Sequence, residues 1–189
     1  MGGTAAGAKS LFTAGVVAVA LYIGAADAER VKACLDAGLG VFAVTFGSTA
    51  ARQNPAQAIA TAKAWGLPPG TSIFLDVEGN AAYNTPAGTL IGEINAWGDA
   101  VAAAGYLPGA YFAPPQPLTS EELYHLRVVR YWKGGGSIRD RNGALAEPAG
   151  CGWCMTQMWP SQMAAGYLVD WNMVGEDFRG RLPNAAFAA

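Results

Sequence analysis

One short unit recurs four times along this chain and limits its fold more than any other feature. A helical segment ends in a small or aromatic residue followed by glycine, and an apolar, strand-like run comes next. Ala14-Gly15 leads into residues 16–23, Ala37-Gly38 into 41–46, Trp65-Gly66 into 72–77 and Ala104-Gly105 into 109–113. Each glycine suits the left-handed position that ends a helix without a Cβ penalty, and each run suits a strand buried on both faces. Strands that alternate with helices pair in parallel through right-handed crossovers.

The connecting segments carry helix signals of their own. Asn54-Pro55 reads as an N-cap followed by proline at the first helical position. Leu90, Ile94, Trp97 and Val101 form one apolar stripe at helical spacing, and Thr119 with Glu122 has the spacing of a capping box. Beyond residue 126 the helices thin out, and 127–132, 155–159 and 167–170 read as strands between glycine-rich loops. Seven strands linked by helices lean toward a single (β/α) TIM-like barrel over residues 1–189, short or incomplete, with reduced helices in the C-terminal half. A doubly wound sheet is the alternative, although no glycine-rich phosphate loop follows the first strand.

Composition excludes several classes of function. With 12 Lys+Arg against 14 Asp+Glu, a net charge of -2, the chain lacks the basic excess that nucleic acid demands. At 52% hydrophobic and 14% charged residues it is too apolar for a disordered chain. The uncharged run 10–26 after Lys9 is too short and too glycine-broken for a membrane span. Ala26-Asp27-Ala28 resembles a signal cleavage site, but helical composition over 5–14 and β-branched residues over 16–23 place this run inside the fold.

The thiols and the histidine offer little chemistry. Cys34 reads as a buried apolar side chain on a helix. Cys151-Gly152-Trp153-Cys154 has redox spacing, yet a strand-like run follows where an activating helix N-terminus is needed, so a local disulfide or two reduced thiols is favoured. His125, the single histidine, reads as mid-helix. Neither a metal site nor a Ser-His-Asp triad is expected, and no cofactor is implied.

The acids are more informative. Asp76 and Glu78 close the strand Ile73-Phe74-Leu75-Asp76-Val77-Glu78, and Asp170 closes Tyr167-Leu168-Val169-Asp170. Residues two apart share one face of a strand, so Asp76 and Glu78 point the same way at the end where parallel α/β folds build their sites. Two such carboxyls beside apolar walls cannot both keep ordinary acidity, and one holds its proton near neutrality. That arrangement suits protonation of a glycosidic leaving group while a partner carboxylate steers water, stabilises positive charge or assists a substrate group. The plainer reading is an acid pair that caps neighbouring amides or meets Arg127 or Arg130. Tyr22, Phe46, Asn80, Tyr111, Trp132, Gln157, Trp159 and Asn172, with their rings and amides near the strand ends, suit a carbohydrate groove.

These residues resemble known sequences. Asp76-Val77-Glu78 resembles the DxE strand of the lysozyme-type glycoside hydrolase family 25, and Gln157-Met158-Trp159 with Val169-Asp170-Trp171-Asn172 resembles that family's C-terminal strands. Over nearly its whole length the chain looks closer still to the related glycoside-hydrolase-like domain DUF1906. The likeness runs through Tyr22-Ile23-Gly24, Ala37-Gly38-Leu39, Gly66-Leu67-Pro68, Gly105-Tyr106-Leu107-Pro108-Gly109 and Asp170. It implies a (β/α) barrel that cleaves the glycan of bacterial peptidoglycan, with Glu78 as general acid, Asp76 and Asp170 orienting substrate or water, and Tyr111 in support. Both families open with an aspartate on the first strand, whereas nothing acidic precedes Asp27 here. Either that strand is absent or an acid has been lost, so a noncatalytic glycan-binding or scaffold barrel is the alternative function. The implied place of action is outside the cell or at the cell wall, reached by lysis or through a secretion partner.

Overall fold

A computed structural model describes residues 5–45 and 54–188. The helix-glycine-strand unit sets its first half. Gly15, Gly38, Gly66 and Gly105 all take positive φ, between 72° and 90°, and each turns the chain from a helix into a strand. The elements in order are α1 (Ala5–Thr13), β1 (Ala18–Tyr22), α2 (Ala28–Asp36), β2 (Gly40–Val44), α3 (Pro55–Ala64), β3 (Ser72–Val77), α4 (Gly79–Asn84), α5 (Ala87–Ala103), β4 (Leu107–Phe112), α6 (Ser120–Tyr124), β5 (Arg130–Gly134), β6 (Met155–Gln157), β7 (Gln162–Ala164), β8 (Tyr167–Val169) and β9 (Asn172–Val174).

The helix boundaries follow local chemistry. The Asn54 side chain accepts from Ala56 N ahead of α3. Thr119 and Glu122 form the full capping box of α6, and the α5 stripe Leu90, Ile94, Trp97 and Val101 is buried. His125 is the exposed C-cap of α6 rather than a mid-helix residue.

Seven strands form one curled sheet in the order β1-β2-β3-β4-β5-β6-β9. The first six are parallel, and β9 runs antiparallel to β6. Strand alternation splits the core into two layers. Val41, Ala43, Ile73, Leu75, Val77, Ala110 and Phe112 face the helices, together with Ala8, Leu11 and the α5 stripe. Phe42, Val44, Phe74, Tyr111, Trp132 and Met155 line the other, concave face. There the rings of Phe74 and Trp132 meet edge to face at 5.5 Å, and those of Tyr111 and Trp132 at 4.7 Å. The uncharged run after Lys9 supplies α1 and β1, with Ala18 and Ala20 on the concave cluster and Val19 and Leu21 on the helix side.

The C-terminal half departs from the sequence reading. The sheet is an open half-barrel with β1 and β9 at its edges, and among the described residues no helix follows α6. Residues 167–169 form a strand, but among the described residues it pairs only with β7. Ala165 and Gly166, both at positive φ, make the tight two-residue turn that closes this hairpin and draws β8 away from the sheet. The seventh place goes to β9, which needs no crossover helix because it returns antiparallel.

The chain then passes beneath the N-terminal ends of β2 and β3. Ala186 and Val41 exchange backbone hydrogen bonds at 2.8 and 2.9 Å, Ser72 N donates to Asn184 O at 2.8 Å, and Asn184 N donates to Ser72 Oγ at 2.9 Å. A cavity of about 420 Å³ opens there among Pro68, Pro69, Thr71, Pro183 and Phe187, far from the strand-end acids, and no acid lines it. Among the described residues, no helix is long and apolar enough to cross a membrane.

Candidate functional site

Asp76 continues the concave stripe of Phe74, so the β3 pleat carries it into the aromatic interior, where it is 1% exposed. Glu78 follows β3 with extended backbone (φ -146°, ψ 171°) as the N-cap of α4, and is half-buried at the mouth. The two carboxyls therefore share a face at the C-terminal ends of the strands. Burial, and secondarily the Glu78 charge, push the Asp76 carboxyl up to about 8. Burial, then the Asp170 charge, also raise Glu78 above the usual carboxylate range. Neither arginine meets the pair: Arg127 bridges Asp99 at 3.0 Å, and Arg130 donates to the Leu182 and Val129 carbonyls.

Register lays the remaining groups across the strand ends. Asp76 pairs with Tyr111, Tyr111 with Trp132, Gly134 with Gln157, and Gln157 with Asn172. The Tyr111 hydroxyl donates to Gln157 Oε1 at 2.6 Å, and the Trp132 indole donates to Asn172 Oδ1 at 2.9 Å. Tyr22 closes β1 from the other side. Burial raises both phenols above their ordinary range, and the charges of Asp76, Glu78 and Asp170 add to the effect on each. Three acids and two tyrosines thus share one neighbourhood.

Not every expected residue keeps its expected place. Asp170 does not close a strand of the main sheet. It stands exposed between β8 and β9, where Ser161 Oγ donates to its carboxylate and Asn172 Nδ2 donates to its carbonyl at 2.9 Å. Trp132 and Tyr111 are each 5% exposed, so they position neighbours rather than offer open rings for stacking. Trp159 is the exposed indole of the group, lying over Gly135. Asn80 is exposed in the first turn of α4, and Phe46 lies outside the described residues. The strand in doubt exists: β1 is in place and ends in Tyr22. The nearby Asp27 is spent as the N-cap of α2, accepting from Arg30 N at 2.8 Å.

Two contributors escaped the sequence reading. Gly134 leaves the space that the Tyr111 hydroxyl fills, since a Cβ there would overlap it. The signal was the Gly134-Gly135-Gly136 run at a strand end, which suggests close approach of another group. Ser161 holds Asp170 and carries no such signal. Cys151 and Cys154 are free and buried, and they pack in different clusters. Burial pushes the Cys154 thiol up to about 11 and raises Cys151 as well, which opposes the thiolate that redox exchange requires. Among the described residues no three His, Cys, Asp or Glu side chains are placed to hold a metal ion.

Comparison with known proteins adds a family and a fold. The family described as Rv2525c-like, glycoside hydrolase-like domain matches residues 4–142, a span that includes β1 to β5 and the Asp76-Glu78 pair. No curated protein matches the sequence. Among solved structures, a 1.07 Å crystal structure of an uncharacterized B. stearothermophilus protein is similar, with a TM-score of 0.61 and 16% identity, over 82% of this chain and 83% of that one. At that identity the likeness speaks for the fold.

Proposed function

The chain belongs to the Rv2525c-like, glycoside hydrolase-like domain family, and from that premise we propose that it is a glycosidase acting on bacterial peptidoglycan or a related polysaccharide. The observation that carries the reading is the Asp76-Glu78 pair at the C-terminal strand ends of the open half-barrel, with Asp170 close enough for its charge to act on Glu78. Glu78 is the general acid: half-buried, and raised in pKa by burial and then by the Asp170 charge, it holds its proton more firmly than a free glutamate and has access to a glycosidic oxygen. Asp76, neutral to about pH 8, serves as a hydrogen-bond donor beneath it. The Asp170 carboxylate orients water or stabilises positive charge on the sugar. The enzyme acts outside the cell or at the wall, reached by lysis or through a secretion partner.

A second reading has one specific observation in its favour. Tyr22 ends the strand on which the related families carry an aspartate, so a barrel that binds glycan without cleaving it is the competing function. Release of reducing ends from purified peptidoglycan separates the two. The wild-type chain is compared with Glu78→Gln, Asp76→Asn and Asp170→Asn, each checked for folding by circular dichroism. The glycosidase reading expects product from the wild type and a loss of about 100-fold or more with Glu78→Gln. Retained glycan binding without product, from a folded wild type, establishes the binding barrel instead.

A further inference from the structure

The β7-β8 hairpin leaves the sheet between the end of β6 and the start of β9, and its foot is clamped. Met158 N donates to Trp171 O at 2.7 Å where the two chains part. Further out, Gln162 pairs with Val169, Met163 with Leu168 and Ala164 with Tyr167. The pleat turns Ala164, Tyr167 and Val169 onto the core and leaves Met163 and Leu168 outside, 65% and 70% exposed. Ser161 and Asp170, one step before this ladder, share the parity of Met163 and Leu168. On that outer side the Ser161 hydroxyl donates to the Asp170 carboxylate.

The backbone behind the carboxylate is tied down as well. Asn172 Nδ2 donates to the Asp170 carbonyl at 2.9 Å, and Asn172 Oδ1 accepts from the buried Trp132 indole at 2.9 Å. Among the described residues no lysine or arginine pairs with Asp170, and Ser161 is the side chain bonded to its carboxylate. Without that bond an exposed carboxylate shares its time among rotamers. The titratable groups around Glu78 are Tyr22 from β1, Asp76 from β3, Tyr111 from β4 and Asp170 from the hairpin. Asp76 keeps its proton to about pH 8 and burial keeps both phenols neutral, which leaves Asp170 to bear on Glu78 as a charge.

We propose that Ser161 is a positioning residue of this site: from the foot of the hairpin its hydroxyl holds the Asp170 carboxylate within reach of Glu78, against a backbone fixed by Asn172 and Trp132. Its catalytic meaning rests on the glycosidase reading above. A general acid works only while protonated, so a fixed charge beside Glu78 carries its working range to higher pH. The clamp lies beyond the residues that match the family, 4–142.

The test is NMR titration of the Glu78 side-chain carboxyl in the full chain at low ionic strength, together with the pH profile of reducing-end release. Wild type, Ser161→Ala, Ser161→Thr and Asp170→Asn are compared, each checked for folding by circular dichroism. Asp170→Asn is expected to lower the Glu78 midpoint by about half a pH unit, and Ser161→Ala by a smaller step in the same direction. Ser161→Thr, which restores the hydroxyl, is expected to return it to the wild-type value. The alkaline limb of reducing-end release should move with the midpoint. A Ser161→Ala midpoint equal to wild type, with that of Asp170→Asn lowered, overturns the role of Ser161 and leaves the glycosidase reading intact. Equal midpoints in all four proteins overturn the coupling through Asp170 too. Midpoints that shift as expected in a chain that releases no sugar establish the clamp and overturn the glycosidase reading alone.

Discussion

Replacing Asp76 by asparagine should stabilise this protein at neutral and alkaline pH, against the usual effect of altering a buried polar residue. Asp76 is 1% exposed, and its carboxyl is pushed from 3.8 to about 8, first by burial and then by Glu78. Between those two values the folded chain holds a proton that the unfolded chain has released, so stability falls as pH rises. The penalty is absent below pH 4 and complete above pH 8. At about 1.4 kcal/mol per pH unit it amounts to on the order of 5 kcal/mol across the window, a ceiling that local relaxation lowers. Asparagine keeps the shape and cannot ionise. The stability difference between Asp76→Asn and wild type should therefore move in the variant's favour by about 3 kcal/mol from pH 5 to pH 8. For a chain of this length that corresponds to roughly 10 °C in Tm. Thermal and urea melts of both proteins at pH 5, 6, 7 and 8, followed by far-ultraviolet circular dichroism, measure it. Glu78, also raised by burial and by Asp170, leaves a residual slope of the same sign in the variant. Parallel curves for the two proteins over this range would refute the reasoning, because a buried carboxyl that ionises without destabilising the fold has not been desolvated.

Three other outcomes follow from the packing. Gly109→Ala should destabilise the fold by about 1–3 kcal/mol in urea unfolding, because a Cβ there would stand 2.5 Å from the Phe74 ring, which is fully buried between β2 and β5. Asp177→Ala should lower stability by about 2 kcal/mol: the nearly buried carboxylate accepts from Arg179 N and Arg181 N and pairs with the Arg181 guanidinium at 2.7 Å. With a thiol reagent at pH 8, none of the three cysteines should react in the native chain and all three should react in denaturant, whereas rapid native labelling of Cys151 or Cys154 would show that the burial argument is wrong.

What the sequence disclosed divides by the range of the forces involved. Helix ends at Asn54 and Thr119, the four glycine turns and the stripe on α5 depend on a few adjacent residues, and they were readable there. So was the shared face of Asp76 and Glu78, since the strand pleat decides it. Asp170 does follow a strand, as its sequence suggests, but that strand belongs to a hairpin outside the main sheet, and the place of Asp170 near Glu78 depends on that hairpin and on a return strand three residues long. Neither pairing has a local signature strong enough to set it apart. The rings were harder still, because alternation marks Trp132 and Tyr111 as facing the concave side without saying whether that side is open cleft or filled core. His125 shows the same limit at small scale, since Leu123 and Leu126 suggest a continuing helix that ends one residue earlier.

The strap beneath the sheet bears on how the protein is made. Ser72 and Asn184, which bond in both directions, lie 112 residues apart. At about 5–20 residues per second a ribosome needs on the order of 10 s to travel that far, while β1 to β4 and their helices can already have formed. Throughout that interval the starts of β2 and β3 lack their final cover, and Gly40, which has no room for a side chain once Ala185 and Phe187 arrive, stays open to solvent. Of the described elements the strap emerges last, so a nascent chain halted before residue 184 presents the floor of its sheet to whatever chaperone or neighbouring strand reaches it first.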